Sequence, residues 1–137
     1  MYYRILHVLS ANFYAGSVSY AINVAEKQSE LGNQLYIVSD RENLSQTIPC
    51  TQLPISVRTI PQRIKNIIFL IKFIKEHNIQ IIHSHSRAAS WVSFYAAKFC
   101  NVPLVSTIHG MQAKRSDFYG EEIICICDNL VIIMFQC

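Results

Sequence analysis

Residues 79–110, IQIIHSHSRAASWVSFYAAKFCNVPLVSTIHG, decide the fold. Ile79 to His83 is an apolar run of strand length, Arg87 to Phe99 repeats apolar residues at helical spacing, and Pro103 to Ile108 returns to a short apolar run. Strand, helix and strand in this order form the unit of a parallel sheet. Toward the N-terminus, Pro61 opens another helix that ends near His77 and Asn78. Its Ile64, Ile67, Ile68, Ile71 and Ile74 fall on one side, with Arg63, Lys65, Lys72 and Lys75 on the others. Ser39 to Ser56 has no periodicity, carries Pro49 and Pro54, and reads as loop. Leu35 to Val38 reads as a strand. Ser17 to Leu31 repeats Val18, Ala21, Ile22, Val24, Ala25 and Leu31 as a helix does, with Gly32 where a left-handed cap is needed. Arg4 to Leu9 is the first strand, buried on both faces. The alternation predicts an α/β domain whose parallel sheet has helices on both faces and right-handed crossovers. In such a sheet ligands gather at the carboxyl ends of the strands.

Composition supports one globular domain over residues 1–137. With 51% hydrophobic and 15% charged residues the chain can bury a core without metal or disulfide staples. A net charge of +3, from 12 Lys and Arg against 9 Asp and Glu, is small and scattered, and argues against nucleic acid as a partner. A membrane-spanning helix needs about 18 uninterrupted apolar residues; the richest stretch, Ile67 to Ile74, is broken by Lys72. The apolar core after Arg4 is too short for a secretory signal. The cysteines at positions 50, 100, 125, 127 and 137 are accordingly expected as thiols in the cytoplasm. Cys125 and Cys127, a CxC in an apolar run, read as buried thiols before they read as a metal or redox pair.

Four loops follow the strands: Ser10 to Gly16, Ser39 to Glu42, Ser84 to Arg87, and His109 to Gly120. The first carries neither GxGxxG nor GxxxxGK[ST], which argues against a dinucleotide dehydrogenase or a P-loop kinase. Gly16 before a helix is either a turn glycine or a place where helix-start amides face an anion. His83 and His85, at i and i+2, point to one side of their strand. They are a satisfied polar strand end or the rim of a site for a hydroxyl-rich ligand, with His85, Ser86 and Arg87 at the start of the next helix. Two histidines do not complete a zinc site, and no metal is expected. His109, at the tip of a buried strand and followed by Gly110, is either a core histidine or one aimed into the ligand crevice.

In order and spacing these segments resemble the N-terminal domain of glycosyltransferase family 4, retaining sugar transferases of the GT-B architecture. Arg4-Ile5-Leu6-His7-Val8-Leu9-Ser10 is similar to the family's opening strand, Ala15-Gly16 to its Gly-Gly loop, and Leu31-Gly32-Asn33-Gln34-Leu35 to its L-x-x-x-G-H-x-V turn. Ile81 to Ser86 and Val102 to Gly110 resemble two later signatures, and Asp128-Asn129-Leu130-Val131-Ile132 resembles a strand that begins D-x-V-I. Ala15 stands in place of the first glycine, Val18 where the family often has Glu, and Asn33 in place of histidine.

The resemblance implies a Rossmann-like half of a GT-B fold that holds mainly the acceptor, with the donor-binding domain expected to be missing after Cys137. It implies a nucleotide sugar as donor substrate, no cofactor, and a polysaccharide, lipopolysaccharide or glycolipid acceptor. His109 is then the catalytic contact near the reacting carbon, Gly16 and Gly110 the donor-binding positions, and His85, Ser86 and Arg87 the acceptor side. A separate chain carrying the donor domain and a peripheral association with the inner face of the membrane stay open as partners. The rival reading is a non-catalytic remnant or a small flavodoxin-like binding module.

Overall fold

Strand β1 (Arg4–Val8) lies in the middle of a parallel sheet, and the chain builds outward from it in both directions. The computed structural model describes residues 2–11, 16–109 and 130–135. After β1 come α1 (Gly16–Glu30), β2 (Gln34–Ser39), β3 (Cys50–Gln52), α2 (Ile60–His77), β4 (Ile81–Ser84), α3 (Arg87–Cys100), β5 (Leu104–His109) and β6 (Leu130–Phe135). The sheet order is β3-β2-β1-β4-β5-β6, and every pairing is parallel. The chain therefore runs outward from β1 to β3, crosses back, and continues outward from β4. The order reverses between β1 and β4, where ligands bind in open α/β sheets.

Alternation along the strands divides the core between the two faces. Leu6, Val8, Ile82 and Leu104 pack with Leu70, Phe73 and Ile74 of α2 and with Ala89, Val92 and Ala96 of α3. On the opposite face Ile5, Leu35 and Ile37 pack with Ala21 and Ala25 of α1. The α/β architecture with helices on both faces is as the sequence predicts. The caps explain where the helices stop. Gly32, at φ +99°, turns the chain out of α1, and Asn78 and Asn101 take left-handed conformations after α2 and α3. Asn33, the residue that departs from the family pattern, accepts from the Tyr3 N–H through Oδ1 at 2.9 Å and donates through Nδ2 to the Gln28 carbonyl at 3.0 Å.

Two expectations are corrected. The stretch read as loop contains β3, in which Cys50, Thr51 and Gln52 pair with Ile37, Val38 and Ser39. Three residues bounded by Pro49 and Pro54 are too few to show a period, and an edge strand tolerates both prolines. Helix α2 is also rotated from the expected face: Asn66, Leu70, Phe73 and Ile74 are buried, whereas Ile60, Ile64 and Ile68 are 58%, 50% and 61% exposed. Asn66 fixes the rotation, because its amide donates to the Pro54 carbonyl at 3.0 Å and accepts from Gln62 Nε2 at 2.9 Å. Among the described residues no helix is long and apolar enough to cross a membrane.

Candidate active site

Parallel strands end at one edge of the sheet, so β1, β4 and β5 bring the starts of α1 and α3 and the tip of β5 together there. Val8 pairs with Ser84 and Ser84 with Ser106. The backbone of His109 lies three residues beyond that level, roughly 10 Å farther toward the ligand side at strand rise. Gly16 is the first residue of α1, and a Cβ built on it meets nothing within 4 Å. Among the described residues nothing covers that helix start. Gly110, Cys125 and Cys127 lie outside the described residues.

Asp40 ties the edge together where sequence reasoning named only a loop. Its Oδ2 accepts from the Ala11 N–H at 2.9 Å and from Ser56 Oγ at 2.8 Å, and its Oδ1 accepts from the Ser56 N–H at 2.9 Å. Ser10 and Ser56 share a further hydroxyl bond of 2.7 Å. One carboxylate thus clamps the segments after β1, β2 and β3.

The three residues of the expected acceptor side take different places. Ser86 is the N-cap of α3, its Oγ accepting from the Ala89 N–H at 3.1 Å. Arg87 follows as the first helical residue and faces a cavity. His85 turns inward and is only 2% exposed.

The inward side of His85 reveals what the sequence did not. His7 of β1 pairs with His83 of β4 in the sheet register, and alternation puts His7, His83 and His85 on the α1 face. His7 Nδ1 lies 2.8 Å from His85 Nε2, and His7 Nε2 lies 2.8 Å from Gln28 Oε1. His83 Nε2 lies 2.6 Å from Thr107 Oγ1, and the rings of His83 and His85 stack with centroids 4.0 Å apart. Since Gln28 Oε1 can only accept, His7 Nε2 carries the proton and its Nδ1 accepts from His85. Burial pulls the His7 imidazole down to about pKa 4, the Gln28 hydrogen bond opposing that in part, so it is neutral at physiological pH. The expectation of two histidines without a third ligand is corrected. One nitrogen from each of the three rings lies within 4.8 Å of the others, a set that could hold a metal ion. A metal on His7 would displace its bond to Gln28 or to His85, which already satisfy both nitrogens. The register of β1 against β4 is the signal that could have found His7.

The family model described as Glycosyltransferase Family 4 matches residues 14–124. The chain belongs to glycosyltransferase family 4. A glycosyltransferase from Rickettsia africae ESF-5 superposes with a TM-score of 0.75 at 22% identity, covering 97% of this chain and 43% of that one. MurG of Acinetobacter baumannii gives 0.74 at 15% identity, over 96% and 41%. Anabaena HepE, determined in complex with UDP-glucose, gives 0.62 at 14% identity, over 79% and 29%. No curated protein sequence matches the chain. At these identities the structures show the fold, and the chain spans less than half the length of each. The family 4 domain thus has the topology of the N-terminal half of GT-B structures.

Proposed function

We propose that this family 4 domain is the acceptor-side half of a glycosyltransferase. It would work with a donor-binding half, in the same protein or in a separate chain, to move a sugar from a nucleotide sugar to a polysaccharide, lipopolysaccharide or glycolipid. The observation that carries the reading is the family match over residues 14–124, a span that includes the starts of α1 and α3 and the tip of β5. A solved relative in fold holds UDP-glucose, which supports the donor class.

In the reaction an acceptor hydroxyl oxygen bonds to the anomeric carbon while the bond from that carbon to the diphosphate breaks. The diphosphate leaves with the electron pair, and the proton of the hydroxyl passes to the departing phosphate oxygen or to solvent. Negative charge grows on the leaving oxygen, so donors already aimed there lower the barrier. The amides at the start of α1, bare of side chain at Gly16, carry the partial positive charge of a helix N-terminus and suit that task. His109 and Gly110 are assigned to the donor sugar and its phosphates, and Ser86 and Arg87 to the acceptor. His85 acts behind them as a positioning residue, held by His7. The exposed stripe Ile60, Ile64 and Ile68, with Lys65 and Lys72 beside it, suits a face resting on anionic lipid at the inner side of the membrane.

The test uses the native assembly that contains this domain, in extracts given labelled nucleotide sugars. Labelled glycan or glycolipid is expected, and His109→Ala should slow its formation by about a hundredfold, the scale for losing one preorganised donor. Normal transfer by the variant would overturn the role of His109, and no transfer with any donor would overturn the activity.

A further inference from the structure

Asp40, the first residue after β2, is itself fixed by the neighbouring strand, because its carbonyl accepts from Gln52 Nε2 of β3 at 3.1 Å. From that point its carboxylate reaches in two directions. It accepts from the N–H and the hydroxyl of Ser56, in the segment after β3, and its Oδ2 accepts from the Ala11 N–H, in the segment after β1, at 2.9 Å. Ala11 is only 1% exposed, so loss of this acceptor leaves a buried N–H unpaired.

Ala11 carries the hold onward to α1. It forms one buried apolar cluster with Val18 and Ile22, and Leu44, a few residues beyond Asp40, packs against the same cluster. Val18 follows Gly16, the first residue of the helix, by two positions, and Ile22 lies one turn farther on. The segment after β2 thus grips the beginning of α1 in two ways, through the backbone of Ala11 and through the side chain of Leu44. Apolar contact sets a separation and tolerates sliding, whereas a hydrogen bond to a carboxylate also sets distance and angle. The direction of the helix start is therefore decided at Asp40.

We infer that Asp40 is a positioning residue for the sugar transfer: by holding Ala11 it aims the first turn of α1, and with it the backbone at Gly16, toward the donor. The inference rests on the donor role proposed above for that helix start and names the residue that directs it. Asp40 acts through Ala11 and the α1 cluster. Stabilisation of charge that grows on a leaving group depends on donors already in place, so a small change in the aim of α1 lowers the rate more than it lowers the binding of substrate. Asparagine has the shape of aspartate but only one accepting oxygen, and its NH2 group has to face one of the donors that Asp40 now serves. Asp40→Asn therefore loosens the hold without opening a cavity. Asp40→Glu keeps both oxygens and carries them one methylene farther out.

The test places both variants beside Asn33→Ala in the native assembly, at a temperature where all of them are folded. Asn33 precedes β2 at the opposite end of the sheet, and its side chain makes two hydrogen bonds there, so its loss lowers stability away from the ligand edge. Hydrogen exchange, read against the amides of α3 in the same protein, should quicken about tenfold at Ala11, Ala21 and Ile22 in the Asp40 variants and stay unchanged in Asn33→Ala. In sugar transfer the Asp40 variants should lose about tenfold in kcat and keep the KM for acceptor within about twofold, and Asn33→Ala should keep both. Unchanged exchange at these three amides overturns the hold on α1. Faster exchange with kcat unchanged overturns the positioning role, and so does an equal fall of kcat in Asn33→Ala. Faster exchange in an assembly that transfers no sugar with any donor keeps the hold of Asp40 on α1 and overturns the glycosyl-transfer reading alone.

Discussion

His7 should make the domain sensitive to mild acid, by an amount that follows from its burial. The imidazole has no exposed surface, and its pKa falls from 6.5 to about 4 on folding, with desolvation as the main cause. The folded state therefore keeps it neutral while the unfolded chain takes up a proton at the ordinary value. Between about pH 6.5 and pH 4 the unfolded state binds more protons, so stability is fully present above that window and falls as pH drops through it. A tenfold difference in proton affinity between the two states is worth about 1.4 kcal/mol. The loss is complete at about 3 kcal/mol below the folded pKa and stands between about 2 and 3 kcal/mol near pH 4.5. Urea unfolding followed by Trp91 fluorescence near pH 7 and near pH 4.5 measures the loss, and His7→Gln separates it from the carboxylates that titrate over part of the same range. The variant should start about 1–2 kcal/mol less stable near neutrality, from the altered hydrogen bonds to Gln28 and His85. On acidification it should lose about 2–3 kcal/mol less than the wild type. Parallel loss in the two proteins would refute the argument that burial of a neutral His7 sets the acid limb.

Two further substitutions separate structure from function at the ligand edge. Gly16→Ala meets no atom of the described residues within 4 Å, so thermal unfolding should show a change within about 0.5 kcal/mol, while sugar transfer by the native assembly should fall at least about tenfold if a phosphate approaches that backbone; unchanged transfer would overturn the proposed donor role of Gly16. Asp40→Ala should cost about 3 kcal/mol in urea unfolding, because three hydrogen bonds to one carboxylate are lost and the buried Ala11 N–H and the half-buried Ser56 lose their acceptor. A cost below about 0.5 kcal/mol would show that the clamp contributes nothing.

What the sequence revealed follows from which interactions are local. Strands β1, β2, β4 and β5 carry enough buried apolar residues to read as short, mostly apolar runs, and Gly32 and Asn78 mark the ends of α1 and α2. Strand β3 is too short to announce itself. Helix α2 has isoleucine at 60, 64, 67, 68, 71 and 74, which covers so much of its circumference that hydrophobicity does not choose a face. The buried amide of Asn66 chooses it, through a partner twelve residues away. Gly16, Ser86, Arg87 and His109 could be placed at one edge because every parallel strand delivers its carboxyl end there. His7 could not, since its contact with His85 spans 78 positions and depends on which strands are neighbours.

The same strand alternation that divides the apolar core also places two polar layers behind the ligand edge. On the α1 face the layer is imidazole, from His7, His83 and His85. On the face of α2 and α3 it is hydroxyl, with Ser90 Oγ lying 2.9 Å from Ser84 Oγ and 2.7 Å from Ser106 Oγ, all three residues buried. Serine at 90 also lets α3 approach β4 and β5 closely, which a larger side chain would prevent. Apolar cores of the right volume tolerate repacking, whereas a hydrogen-bonded layer holds its partners at fixed distances and angles. The proposed sugar transfer needs that stiffness where α1 and α3 begin, because contacts to a reacting sugar and its phosphates work only when held to within about half an ångström. The ends of β1, β4 and β5 therefore give up apolar burial for hydrogen bonds of fixed direction.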